Sequence, residues 1–248
     1  MPRYFLEISY KGTAYSGFQA QENANTIQAE VERSFAVLHK EKVSMTGSSR
    51  TDAGVHAKQN FFHFDFYGII NPHFIYKINA ILPKDIVVKS LLKVKDSAHC
   101  RFDAVSREYE YHIYRQKDPF LEDRAYYFPF KLDTEKLHNA AAIIKEYTDF
   151  SSFSKRNSQV KTFNCNILES KWLATNNILI YNVKANRFLR GMVRALTATM
   201  LLVGRNKITI EEFKEIIASQ DCTKANFATP SHGLFLKKIE YPEEYFFY

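Results

Sequence analysis

Twice along this chain an alternating, strand-like run is followed by a helical spacing, two more strand-like runs, a second helical stretch and a closing strand. In the first round Tyr4, Leu6, Ile8 and Tyr10 alternate with Phe5, Glu7 and Ser9, a strand pattern. Ile27, Val31, Phe35 and Leu38 then recur at helical spacing, with Asn25 and Gln28 resembling a capping box in front of them. Strands are expected over residues 42–48 and 59–66, the second placing Phe62, Phe64 and Phe66 on one face. A short helix over residues 72–81 and a strand over 86–95 complete the order β-α-β-β-α-β.

The second round begins with a strand at 107–115, where Tyr109, Tyr111 and Ile113 alternate with Glu108, Glu110 and His112. Leu137, Ala140, Ala141 and Ile144 mark a helix starting after Asp133. Residues 161–173 and 178–185 read as a hairpin with Asn176-Asn177 at its turn. Helices are expected at 189–203 and 209–219, the latter opening on a Thr209–Glu212 capping box, and a strand at 234–239 closes the round.

The fold class expected is α+β, with two ferredoxin-like, RRM-like halves. The first covers residues 1–100 and the second 101–248, joined near 97–106. No Gly-, Pro- or Ser-rich linker separates them, so one continuous, mainly antiparallel central sheet flanked by helices is expected. With 46% of its residues hydrophobic and 15% aromatic, a chain of 248 residues can bury a sizeable core.

The formal charge of +7 favours an anionic partner, because neutralising phosphates releases condensed counterions. A basic enzyme that never touches nucleic acid fits the charge equally well. Cys100, Cys165 and Cys222 are odd in number and far apart, so neither a zinc spacing nor a disulfide framework follows. No apolar leader region follows Met1-Pro2-Arg3. The most apolar stretch, residues 192–203, is interrupted by Arg194 and too short to span a bilayer. No membrane association and a reduced, cytoplasmic location are the expectation.

The most unusual local sequence runs from Gly47 to Ala57, where small residues surround Arg50 and, two positions on, Asp52. Loops on a rigid sheet are where catalytic groups usually lie, and a nearby cation favours an ionised, nucleophilic carboxylate. The same residues also suit a turn stabilised by a local ion pair. Tyr109 could stack on an extruded base, or simply pack between strands. Arg187, Arg190 and Arg194 are spaced to share one helical face, the first two as phosphate contacts or as a solvated stripe. Arg194 stands among Met192, Val193, Leu196 and Leu201, where a cation needs an anionic partner, and Asp52 is a candidate for it. Asp52, His56, His63 and Asp65 are metal-ligand types close together, but no zinc signature appears. Tyr10-Lys11-Gly12-Thr13 lacks a phosphate-loop glycine pattern.

Taken together, these segments resemble the TruA family of tRNA pseudouridine synthases. Arg50-Thr51-Asp52-Ala53-Gly54-Val55-His56-Ala57 is similar to that family's signature, and the stretch from Tyr10 to Gln19 to its N-terminal strand and loop. Ala104 to Tyr111 resembles the region of its active-site tyrosine. Asp149 to Phe153, Asn186 to Arg194 and Ala228 to Leu236 resemble its later blocks, all in order. The resemblance implies isomerisation of uridine to pseudouridine at positions 38 to 40 of the tRNA anticodon stem-loop. It also implies no metal, no organic cofactor, and a homodimer with tRNA as its partner. By position it makes Asp52 the nucleophilic aspartate, Tyr109 the residue stacking on the target base, Arg194 the aspartate's partner and Arg50 an RNA-responsive arginine. Ser48-Ser49 stand where the family usually has Ala-Gly, so a glycine-only backbone angle there would cost more. Phe18 stands where Trp is more usual. A non-catalytic RRM-like RNA-binding protein and a metal-dependent nuclease are the rival readings; the first lacks an RNP-type segment.

Overall fold

The computed structural model describes residues 1–156, 158, 160–175 and 177–246. They form two compact units, Met1–Val105 with Leu236–Tyr248, and Ser106–Phe235. Each mixes helices with mostly antiparallel sheet.

In the first unit the elements are β1 (Arg3–Tyr10), α1 (Ile27–His39), β2 (Thr46–Gly47), β3 (His56–Asp65), α2 (Phe74–Ile81) and β4 (Ile86–Val94). β1 lies between β3 and β4, antiparallel to both, and β2 pairs with β3 opposite His63 and Phe62. β3 explains the aromatic density of this half. On one side Phe64, with Phe66 just beyond the strand, meets Phe35 of α1 at 5.1 and 5.2 Å between ring centroids. On the other side Phe61 meets Tyr241 at 5.2 Å. A strand covered on both faces needs an almost continuous apolar run rather than alternation.

Two expectations fail here for the same reason. The cap of α1 is Thr26, whose hydroxyl accepts from the Ala29 N–H at 3.3 Å, not Asn25. Gln28 cannot close a capping box because its carbonyl oxygen accepts from Ala20 N and its amide donates to the Met45 carbonyl at 2.8 Å. Met45 N–H in turn donates to Glu32. Side chains of α1 thus occupy the backbone groups that a strand over 42–45 would need, and only Thr46–Gly47 pairs.

The second unit contains β5 (Ser106–Tyr114), β6 (Tyr126–Tyr127), α3 (Thr134–Ile143), β7 (Ile167–Thr175), β8 (Ile178–Ala185), α4 (Met192–Gly204) and α5 (Ile210–Ala218). β8 lies antiparallel between β5 and β7, while β6 runs parallel beside β5. Asp133 caps α3 by accepting from Lys136 N, and Thr209 with Glu212 closes a capping box on α5. Residues 161–166 do not extend β7, because Cys165 N–H donates to the Thr148 carbonyl instead. Of the expected hairpin turn, Asn176 lies outside the described residues, and Asn177 takes φ 67°. α4 starts at Met192, after Gly191 at φ 78°, so Arg187 and Arg190 precede the helix and share no helical face with Arg194. The last strand, β9 (Leu234–Glu240), has its first two residues in this unit and the remainder in the first, where it lies beside β3. No helix among the described residues is long and apolar enough to cross a membrane.

Candidate active site

The Gly47–Ala57 segment connects β2 to β3, and most of it is buried or half-buried. Thr51, Val55, His56 and Ala57 are buried, Asp52 is half-buried, and Arg50 and Ala53 are exposed. Val55 N–H donates to the Asp52 carbonyl at 3.2 Å, closing a turn whose third residue, Gly54, has φ 78°. Positive φ at that position is what a type II turn demands, and glycine adopts it without a Cβ clash. The bland expectation of a turn is therefore correct. Its ion pair is not formed, since Arg50 makes none among the described residues.

The flanks of the turn are held by groups distant in sequence. The Tyr10 and Thr51 hydroxyls are 2.7 Å apart, and Asn60 Nδ2 donates to the Tyr10 oxygen at 3.3 Å and the Ser49 carbonyl at 2.9 Å. Ser49 N–H donates to Asn60 Oδ1. Asn60 is fully buried, so its amide is satisfied by the loop itself. Gly12 N–H donates to His56 Nδ1 at 3.1 Å, which leaves the ring's proton on Nε2 in the neutral form. A Cβ on Gly12 would stand 2.0 Å from the Val55 carbonyl oxygen. Gly17, at φ 110°, lies on the other side, where an added Cβ would stand 3.2 Å from the Thr51 carbonyl oxygen, and Phe18 N–H donates to that same carbonyl. Two glycines thus let the loop after β1 press backbone against backbone on both sides of Asp52.

Ser48 and Ser49 need no glycine angle: neither has positive φ. Ser48 Oγ and the Tyr241 hydroxyl both donate to the Cys100 carbonyl, each at 2.6 Å. Phe18 stacks on Phe62 at 4.8 Å and fills the space beside Gly47, where a Cβ would collide with its ring at 2.1 Å. The metal-type side chains are otherwise engaged. Asp65 takes a two-pronged ion pair from Arg3 at 2.7 and 2.8 Å, which holds its carboxyl below the usual range. His63 Nδ1 lies 3.2 Å from Cys100 Sγ. Among the described residues no group of three His, Cys, Asp or Glu could hold a metal.

The second unit carries the other candidates. Tyr109 of β5 pairs with Val183, is half-buried, and meets Phe188 edge-on at 5.0 Å and 82°. Arg187 is half-buried and Arg190 exposed, both in the loop leading to Gly191. Arg194 is half-buried in the first turn of α4. Its Nε and Nη2 donate to the Thr229 carbonyl at 2.9 and 2.6 Å, and Thr229 Oγ1 donates back to the Arg194 carbonyl at 2.9 Å. The anchor of this guanidinium within its own unit is thus a carbonyl rather than a carboxylate. Among the described residues two of its five N–H donors are used, and the rest of the planar fork suits an anion. Tyr111 lies beneath, donating to the Pro230 carbonyl at 2.6 Å, and burial pushes its phenol up so that it stays a neutral donor.

Sequence reasoning singled out Asp52 but not the residues that fix its loop. Tyr10, Gly12 and Gly17 stand out only as part of the stretch that resembles the family's N-terminal strand and loop, Thr229 only as part of its last block, and Asn60 carries no local signal at all.

A family model described as tRNA pseudouridine synthase matches residues 8–103 and 147–242. Asp52 and Arg50 lie in the first matched segment and Arg187, Arg190 and Arg194 in the second, whereas Tyr109 falls between them. The protein named tRNA pseudouridine synthase A in Parabacteroides distasonis is 42% identical over 248 residues, covering 99% of this chain and 98% of that one. Its namesake in Porphyromonas gingivalis is 41% identical over 251 residues, covering 99% and 100%. The one in Staphylococcus saprophyticus is 37% identical over 240 residues, covering 96% and 90%.

Proposed function

We propose that this chain, which belongs to the tRNA pseudouridine synthase family, modifies positions 38 to 40 of the anticodon stem-loop with Asp52 as its catalytic carboxylate. The family's activity makes it an isomerase that converts uridine to pseudouridine in tRNA. The bond between ribose C1′ and N1 breaks, the uracil turns, C1′ joins C5, the C5 proton leaves and N1 takes up a proton; no atom is gained or lost overall.

The observation that carries the assignment of Asp52 is the contrast within its loop. Thr51, Val55 and His56 around it are buried and hydrogen-bonded, while the carboxylate-bearing residue stays half open at the head of a fixed turn. Such preorganisation places a charge without a reorganisation cost at the moment of reaction. The target uridine first leaves its helix, at a cost of about a few kcal/mol. Asp52 then attacks the sugar, attacks the base, or removes a sugar proton. In this reading Tyr109 stacks on the extruded base, steadied edge-on by Phe188, and Arg50 meets the RNA. Arg194 supplies its unused donors to the catalytic carboxylate, and Arg187 and Arg190 contact phosphates.

The strand and helix order of each unit supports two ferredoxin-like halves of one sheet, and we extend the reading to a cytoplasmic homodimer. The deciding experiment incubates purified protein with unmodified tRNA and maps pseudouridine by chemical labelling. Wild type modifies positions 38 to 40. Asp52→Asn loses at least about a thousandfold in turnover while tRNA binding is largely kept. Near-normal turnover by Asp52→Asn defeats the assignment, and tRNA binding without modification by wild type leaves only an RNA-binding protein.

A further inference from the structure

Beside the Asp52 loop, wholly within the first unit, lies an open cavity of about 270 Å³. Its walls include Arg50, His99, Arg101 and Phe102, with Gln19 and Thr46 at the polar side. No carboxylate lines it, so its field is cationic. Phe102 is 74% exposed, an unusual state for a phenylalanine. One side of that ring is supported: His99 lies 4.2 Å away at 31°, and Arg101 places its guanidinium carbon 5.8 Å from the ring centroid. His99 is itself held, its backbone N–H donating to Asp103 at 2.6 Å, so the platform is fixed rather than floppy. Gln19 and Thr46 are exposed, and their side chains make no hydrogen bond among the described residues.

A supported aromatic face, two guanidinium groups and two uncommitted polar side chains are the components by which proteins hold single unpaired nucleotides. We propose that this cavity is a second nucleotide site, separate from the one that takes the target uridine, for an unpaired base of the tRNA substrate. The base stacks on Phe102, its phosphate meets Arg101 and Arg50, and Gln19 and Thr46 meet its edge. The inference rests on the reading that the chain acts on tRNA.

Phe102 is exposed and outside the catalytic loop, so its replacement leaves the fold intact, which thermal melting checks. Phe102→Ala weakens tRNA binding by about tenfold or more and raises KM with little change in kcat, whereas Phe102→Tyr binds as wild type. Phe102→Trp gives the direct readout. The sole native tryptophan, Trp172, is 2% exposed, so a change in emission on adding RNA reports position 102. Unmodified tRNA quenches that emission, and a fully paired RNA duplex of similar length does not. Wild-type affinity in Phe102→Ala, or an emission unmoved by tRNA, overturns the proposal. So does dissociation of an oligomer by Phe102→Ala at unchanged RNA affinity, which would make the patch a contact between copies. Failure of wild type to form pseudouridine instead strikes the catalytic reading, since quenching and affinity are measured without turnover.

Discussion

The loop around Asp52 and the segment around Arg194 present a functional side chain by different means. Asp52 sits on a turn clasped by backbone: Gly12 and Gly17 lie against its neighbours' carbonyls, and the Tyr10, Thr51 and Asn60 network pins its flanks. Arg194 sits on a helix whose residues are almost all buried, and one reciprocal contact with Thr229 aims its guanidinium. In the first region precision comes from close approach of main chain to main chain, which cannot yield. In the second it comes from side-chain packing, which can shift by a few tenths of an ångström. The lesson concerns tolerance: the same added methyl group should be ruinous in one region and bearable in the other.

Glycine-to-alanine changes test that contrast most directly. Gly12→Ala drives a Cβ to 2.0 Å from the Val55 carbonyl oxygen. The expected loss is about 3 kcal/mol or more, seen as a lowered urea midpoint with pseudouridine formation nearly abolished. Gly233→Ala places its Cβ 2.8 Å from the Tyr111 ring and 3.0 Å from the His112 carbonyl. The ring can tilt, so a loss of about 1–2 kcal/mol is expected with most activity retained. A larger penalty at Gly233 than at Gly12 breaks the comparison.

A smaller effect sharpens it through pH. His63 of β3 lies opposite Thr46 of β2, and burial, with His99 and Arg3 adding to it, lowers its pKa from 6.5 to about 4. Asp65 and Asp103 oppose that shift. With the folded pKa below the unfolded one, the unfolded chain binds more protons between pH 6.5 and about 4. Stability is full above pH 6.5 and falls as the pH drops toward the folded pKa. Urea titrations should show a loss of about 1 kcal/mol between pH 7.5 and 5.5 from this group alone. His63→Gln should flatten that slope by the same amount, while His39, His99 and His232, also lowered chiefly by burial, keep a residual one. An unchanged slope in His63→Gln shows that His63 is not an acid-sensitive group.

Legibility in the sequence followed the range of the interactions concerned. The strands around Tyr4–Tyr10 and Tyr109–Ile113, the Asp133 cap and the Thr209–Glu212 box were readable because each rests on residues within a few positions of one another. The expected Asn25–Gln28 box and the strand over 42–48 were not realised, because Gln28 and Glu32 spend their polar groups on Ala20 and Met45. Arg187, Arg190 and Arg194 matched a helical period that Gly191 interrupts. Periodicity tells which residues could share a face, not where the helix begins.

What the chain's residues determined alone was most of the succession of elements, an aromatic face of Phe62, Phe64 and Phe66, and a small-residue segment around Arg50-Thr51-Asp52 suited to a turn. Only the folded molecule decided what holds that turn still. Tyr241 comes within 3.0 Å of Ser48 from 193 positions away, and Gly12 receives no warning in the local pattern of its contact with Val55. The reason is physical. Alternation and capping are set by neighbours along the chain, whereas close packing is set by whichever distant atoms arrive to fill the remaining space.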